Sequence, residues 1–198
     1  MDLALSGAGR AYRRGVDRSW RAWVFDATAV VLAATISVLM VTSRQWPTIA
    51  GSRGAGPVLG AAGGAMLAAQ LALSGSLLAR RRFPVGVAWL AVAATAALAA
   101  VEAAAPGTLV FDAADSNAMP WLPAAAPFAA YSATAHAGRR RLGLVPVVAL
   151  VILGGHGWDA PPDAPWTLQS LLFIGGPALF GMYVAARGRL IRDRKSVV

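Results

Sequence analysis

Two imidazoles, His136 and His156, are the only side chains of this 198-residue sequence that could serve as neutral-pH bases or nitrogen metal ligands. They stand at the ends of different apolar runs. In the transmembrane order derived below they lie on opposite sides of a bilayer, so they cannot share one metal. His136 lies in Tyr131-Ser-Ala-Thr-Ala-His136-Ala-Gly-Arg139, where an interfacial imidazole is ordinarily solvated or lipid-facing; its protonation there would report on pH or lipid charge. His156, in Gly154-Gly-His-Gly-Trp158, reads as an outer boundary turn. Asp26 is the one carboxylate inside an apolar run, and an intramembrane acid points to a proton relay or similar function by default. It sits about one helical turn from the start of its run, near Arg18 and Arg21 in sequence and within range of Arg80 to Arg82 in space, so pairing or snorkelling is the expected role. Gln70, in the middle of a run, is expected to hydrogen-bond a neighbouring helix rather than a substrate. The absence of cysteine excludes disulfides, thiolate metal sites and cysteine nucleophiles. No Gly-x-x-x-x-Gly-Lys phosphate loop, His-Glu-x-x-His zinc motif or Gly-x-Ser-x-Gly elbow occurs. The sequence therefore assigns no catalytic, cofactor-binding or metal-ligating residue.

The elements that would position these groups are long apolar runs. A helix needs about 20 mostly apolar residues to cross a hydrocarbon core of roughly 30 Å. Six runs meet or approach that length: Trp23 to Ser43, Gly56 to Ala79, Phe83 to Val101, Asn117 to Ala137, Leu142 to Trp158 and Leu168 to Ala186. Pro123, Pro127 and Pro146 interrupt the fourth and fifth, and the fifth is short. The expected fold is an all-α polytopic membrane protein: a basic tail at 1–22, a six-helix membrane domain at 23–186 and a second basic tail at 187–198. Gly56, Gly60 and Gly64 place a stripe of small residues on the second run, which supports close helix packing or dimerisation. Gly175-Gly176-Pro177 predicts a kink in the sixth.

Charge sets the orientation. Sixteen of the eighteen Lys and Arg residues fall in alternate gaps between the runs; only Arg44 and Arg53 fall elsewhere. Short loops rich in Lys and Arg stay cytoplasmic, so both termini are expected inside, in a bacterial plasma membrane. Glu102, Asp112, Asp115, Asp159 and Asp163 all fall in the gaps assigned outside. Trp20, Trp23, Trp46, Trp121, Trp158 and Trp166 sit at run boundaries, as interfacial tryptophans do, whereas Trp89 is mid-run. With 57% hydrophobic and 14% charged residues the chain has too little polar material to cover a soluble domain. The net charge of +9 lies in short clusters flanking the runs rather than on one face, which argues for lipid and against nucleic acid as partner. A cleaved signal peptide is not expected, because the charged stretch of about twenty residues and the long apolar core exceed the usual pattern. Seventeen Arg against one Lys, with abundant Ala and Gly, fits a GC-rich genome.

The gaps assigned outside are too short for a folded extracellular domain, so any stimulus must act in the bilayer, at its surface or on a few loop residues. With that order drawn, four stretches resemble the N-terminal membrane region of two-component sensor histidine kinases with compact multi-helix inputs. They are Trp23-Val-Phe-Asp26, Arg80-Arg-Arg-Phe-Pro84, Tyr131-Ser-Ala-Thr-Ala-His136 followed by Arg139 to Arg141, and Gly181-Met-Tyr-Val-Ala-Ala-Arg-Gly-Arg189. The resemblance implies a homodimeric parent protein whose last membrane helix leads into a coiled coil, a phosphoacceptor hairpin and a domain binding ATP and Mg, acting on a response regulator. None of those catalytic residues has a position here: neither histidine is followed by an acidic residue, and no Asp-x-Gly-x-Gly motif occurs. Asp193-Arg-Lys-Ser-Val-Val198 is also what one frame of a widely used sequencing adapter, GATCGGAAGAGCGTCGTG, encodes before a stop codon. The expectation is a truncated frame ending in six artefactual residues. The alternative reading is a small multi-pass transporter or channel subunit, for which the runs offer Asp26 and Gln70 and show no obvious internal repeat. A membrane enzyme acting on lipid would need His and Asp clusters that the sequence lacks.

Overall fold

The computed structural model describes Trp20 and residues 23–39, 61–104, 122–137, 140–156 and 164–195. Every regular element among them is helical. In chain order they are α1 (Trp23–Leu39), α2 (Ala61–Ser76), α3 (Pro84–Ala104), α4 (Ala126–His136), α5 (Arg140–His156), α6 (Ala164–Ser170) and α7 (Gly176–Lys195). A 3₁₀ turn at Leu77–Ala79 follows α2, and a π-helical turn at Leu171–Gly175 joins α6 to α7.

Two stretches, Pro84–Val101 and Thr167–Ile191, are long and apolar enough to cross a membrane. Trp23–Leu39, Gly64–Ala79 and Arg141–Gly155 are apolar but shorter. α3 starts on Pro84, whose missing N–H costs nothing in a first turn and whose fixed φ suits a helix start. Its 21 residues make a rod of about 31 Å, the thickness of a hydrocarbon core.

α4 is much shorter than the run from Asn117 to Ala137. Ala126 donates its N–H to the Pro123 carbonyl at 2.9 Å in a turn, and the helix begins only there, with Pro127 in its first turn. Its 11 residues reach about 16 Å, roughly half a core thickness. The part of that run before Leu122 lies outside the described residues. α5, by contrast, continues through Pro146. In the last run the Gly175-Gly176-Pro177 irregularity takes a definite form, since the π-helical turn ends at Gly175, two residues before Pro177, which lacks a donor.

One core joins the helices. Ala33 of α1, Leu73 of α2, Leu77 of the 3₁₀ turn, Ala88 and Ala91 of α3, and Ala129 of α4 belong to the same buried cluster. The cluster continues through Val147 and Leu150 of α5 to Ile174 and Ala178. Alanine dominates this interior, while Phe25, Leu71, Leu90, Val148, Leu172 and Phe180 point outward and are exposed. The interior also holds Ser37, Gln70, Ser74, Thr95, Ser132 and Ser170. Many large apolar side chains thus face out, while the interior is mostly alanine and small polar residues around a few large ones, Leu77, Leu150 and Ile174.

Three close approaches fix α4 to α7. Gly143 lies against the carbonyl of Ala133, so a Cβ there would collide with backbone. At the other end of α5 a Cβ on Gly154 would stand 2.6 Å from Ser170 Oγ, which donates to the Val151 carbonyl at 2.9 Å. Gly181 faces the Tyr131 carbonyl, and Thr134 Oγ1 donates to the Ala178 carbonyl at 2.8 Å. Leu122 and Ser170 both meet Gly154, whereas Thr134 meets Ala178, so α4 and the α6–α7 run are parallel and α5 is antiparallel to both.

Candidate functional site

Asp26 is the fourth residue of α1, and its carboxylate is held by the turn that ends the α2 rod. After Ser76 the chain tightens into the 3₁₀ turn. Arg80 N–H then donates to the Leu77 carbonyl at 3.2 Å and Arg82 N–H to the Ala79 carbonyl at 3.0 Å. This presents two consecutive arginines to one carboxylate. Arg80 donates from Nε to Asp26 Oδ1 at 2.9 Å, with Nη2 2.7 Å from the same oxygen, and Nη2 also reaches the Phe25 carbonyl at 3.3 Å. Arg81 Nε pairs with Asp26 Oδ2.

Burial separates the two arginines. Asp26 is 7% exposed and Arg80 is 4% exposed, whereas the Arg81 side chain is 44% exposed. A guanidinium is the cation suited to such burial, because its planar fork is weakly hydrated and its donors match carboxylate oxygens. The expected pairing of Asp26 with the Arg80 to Arg82 cluster is therefore met by Arg80 and Arg81; Arg18 and Arg21 lie outside the described residues. Arg82 turns away, its guanidinium 5.5 Å from the centroid of the exposed Phe83 ring.

The same end of the bundle carries other groups. Trp20 and Trp23 stack with centroids 6.4 Å apart, and both are exposed. His136, exposed at the end of α4, is within electrostatic reach of Arg81, Arg80 and Asp26. The start of α1, the end of the α2 rod and the end of α4 are thus neighbours, the three boundaries that the alternation of arginines groups on one side. His156 closes α5 about 25 Å of helix away from Arg140, so the two imidazoles occupy opposite ends. Among the described residues no cluster of His, Cys, Asp or Glu could hold a metal ion.

Gln70 departs from its expected role. It is 2% exposed, yet its Oε1 has no hydrogen-bond partner among the described residues. The buried hydroxyls of these helices are already committed to the backbone. Ser37 donates to Ala33, Ser74 to Gln70 itself and Thr95 to Ala91, each to the carbonyl four residues back.

The glycine stripe makes no close approach among the described residues, and a face left open on one chain is compatible with the dimerisation it suggests. A Cβ at Gly64 would meet nothing within 4 Å, and Gly56 and Gly60 lie outside the described residues. The glycines that do permit close approach are Gly143, Gly154, Gly155 and Gly181. Leu142-Gly143-Leu144 and Phe180-Gly181-Met182 each set a glycine between bulky apolar residues, but so does Val85-Gly86-Val87, where a Cβ would meet only the Phe83 side chain at 3.6 Å, so the pattern alone does not find them.

No protein-family model, curated protein or solved structure matches the chain.

Proposed function

We propose that the chain is the membrane-embedded input domain of a two-component sensor histidine kinase, with its phosphoacceptor and ATP-binding domains lying outside the present sequence. The reading takes the protein as a multi-pass component of the bacterial plasma membrane with both termini in the cytoplasm. Two features support the membrane part: long apolar helices, and an arrangement with many large apolar side chains outward and polar ones inward. In water that surface would be an aggregation site; in lipid it is the ordinary condition.

The observation that carries the signalling part is the course of the last helix. α7 remains helical past Ala186, the expected membrane edge, and through residues 187–192, ahead of the six residues expected to be artefactual. A continuous rod leaving the bundle is what an input domain needs to pass a small shift or rotation to a dimeric enzyme. Held to α4 at Thr134 and Gly181, it follows the bundle rather than moving alone. Catalysis belongs to the parent protein, which would draw on ATP and Mg and hand phosphate to a response regulator.

The test is a chimera. Residues 1–191 are joined in helical register to the dimerisation and catalytic region of a histidine kinase and compared with a version keeping only 164–191. Autophosphorylation in membrane vesicles should change when residues 1–163 are removed or when Gly181→Leu disturbs the α4 contact. Indifference to both would refute the reading.

The transporter or channel alternative has one observation in its favour, the buried Gln70 Oε1, which has no hydrogen-bond partner among the described residues. From the Asp26–Arg80 pair, Gln70, Ser37 and, along α3, Thr95 all lie about 15–17 Å into the bundle, near the middle of a hydrocarbon core. Solute flux in reconstituted vesicles that Gln70→Leu abolishes would favour it.

A further inference from the structure

Resting on the input-domain reading only for its use, we infer that the π-helical turn at Leu171–Gly175 is a rotary switch in the last helix. One contact on each side holds it wide. Loss of the downstream contact lets it close to a continuous α-helix and turns α7 by about 80°.

The two contacts are out of phase. Upstream, Ser170 is fully buried against α5, donating to the Val151 carbonyl and standing against Gly154. Downstream, Ala178 and Gly181 are buried against Thr134 and Tyr131 of α4. The buried positions run Ser170, Ile174, Ala178 in two steps of four residues, whereas Leu171, Leu172, Phe173 and Leu179 are exposed. At about 100° per residue, those steps overshoot two α-helical turns by about 80°. A straight helix would satisfy one contact and turn the other away; the wider turn takes up the excess and lets both form.

The segment is also built to convert. Pro177 offers no N–H to the Phe173 carbonyl, so a straight helix already lacks one α-helical bond here. A Cβ on Gly176 would meet nothing within 4 Å, and one on Gly175 only the Leu171 side chain at 3.7 Å, so no close approach calls for either glycine. Side by side they leave the backbone free to change conformation. In an input domain, a displacement of α4 that draws Thr134 and Tyr131 off α7 frees the rod to turn, while Ser170 keeps α6 on α5.

The experiment uses the full chain in nanodiscs of phosphatidylcholine and phosphatidylglycerol, with spin labels placed one at a time on Cys substitutions from Leu179 to Ala186, Gly181 excepted. Collision with oxygen dissolved in the lipid varies periodically along α7, and the phase marks the orientation of the helix. Releasing the α4 contact with Thr134→Ala and Gly181→Leu should move that phase by about 80°. Deleting Phe173 shortens one step of four to three, which brings Ser170 and Ala178 to within about 20° of each other on a straight helix. In that background the same release should leave the phase unchanged. In unlabelled samples an oxidant should join Gly154→Cys to Ser170→Cys in every variant, because a Cβ at 154 stands 3.5 Å from that of Ser170, within disulfide range. Should Gly181→Leu not extract as a folded species, Thr134→Ala alone carries the test and should show the shifted phase. An unmoved phase on release, the same shift with Phe173 deleted, or failure of the crosslink in the otherwise unmodified chain overturns the switch. The kinase chimera tests the input-domain reading separately, since it can respond with no rotation at this turn.

Discussion

Replacing Asp26 by Asn removes one negative charge with almost no change of shape, and the structure sets the cost. Arg80, only 4% exposed, loses the counter-charge that its Nε and Nη2 address at 2.9 and 2.7 Å. Removing one partner of a buried ion pair costs about 3–5 kcal/mol, because the remaining charge stays buried and uncompensated. Arg81, 44% exposed on its side chain, returns to water and adds little; the Arg81→Gln change alone is expected to cost about 0–1 kcal/mol. Arg80→Gln falls between the two, since Asp26 keeps Arg81. The assay is unfolding in mixed micelles of increasing denaturing-detergent fraction, followed by tryptophan fluorescence, with Trp20 and Trp23 close by in sequence as reporters. The order of destabilisation should be Asp26→Asn, then Arg80→Gln, then Arg81→Gln. Because apolar replacement of a whole buried pair is often neutral, Asp26→Leu with Arg80→Met should recover to within about 1 kcal/mol of the unmodified chain. If Asp26→Asn costs no more than Arg81→Gln, or the apolar double variant is worse than either of its single changes, the buried-pair reasoning is wrong.

Gly181→Ala pushes a methyl against the Tyr131 carbonyl and Thr134 Oγ1 and should cost about 1–3 kcal/mol, whereas Gly64→Ala, with nothing within 4 Å, should stabilise by about 0.5–1 kcal/mol; the same unfolding assay reads both. Gln70→Leu removes a buried acceptor that has no donor among the described residues, and is expected to stabilise by about 1–3 kcal/mol; destabilisation would show that the amide is satisfied in the working protein. Because the sequence has no cysteine, single Cys substitutions at Arg82 and Trp158 report sidedness cleanly, and a membrane-impermeant maleimide added outside intact cells should label only the second. Asp26→Asn and Gly181→Ala, on separate elements without shared partners, should add to within about 0.5 kcal/mol in a double-mutant cycle.

What could be read from the sequence was whatever leaves a local mark on the chain. The run from Phe83 to Val101 announces a helix, Gly175-Gly176-Pro177 an irregular turn, and a carboxylate one turn inside an apolar run needs a cation, which the Arg80 to Arg82 cluster supplies. α4 was not legible in the same way: Pro123 and Pro127 were visible interruptions, but their effect depends on where the following residues find hydrogen bonds. The Ala126 N–H meets the Pro123 carbonyl, and the helix begins there rather than at Asn117. Packing partners were the least legible. Gly64 belongs to a regular small-residue stripe yet has open space beside it, while Gly181, in no stripe, faces the Tyr131 carbonyl. A repeat shows that helices could approach; only the bundle shows which of them do. Gln70 was visible as a polar group in an apolar run, but that the buried hydroxyls are bonded to their own helices was not.

These two kinds of contact also divide the labour of holding the bundle. Lipid gives helices little hydrophobic reason to associate, so association falls to packing and to polar bonds. Near α1 and α2 the polar part is the Asp26 ion pair, which resists separation but tolerates sliding as far as long arginine side chains can follow. Near α4 and α7 it is backbone against backbone at Gly181 and a short hydroxyl bond to Ala178, which tolerate almost no change of register. A displacement arising at the basic end is therefore absorbed by flexible side chains, whereas one arising at α4 passes directly into α7. For an input domain the stimulus would accordingly be read where α4 and α5 meet α7, and the arginine end would set the resting position against the membrane surface.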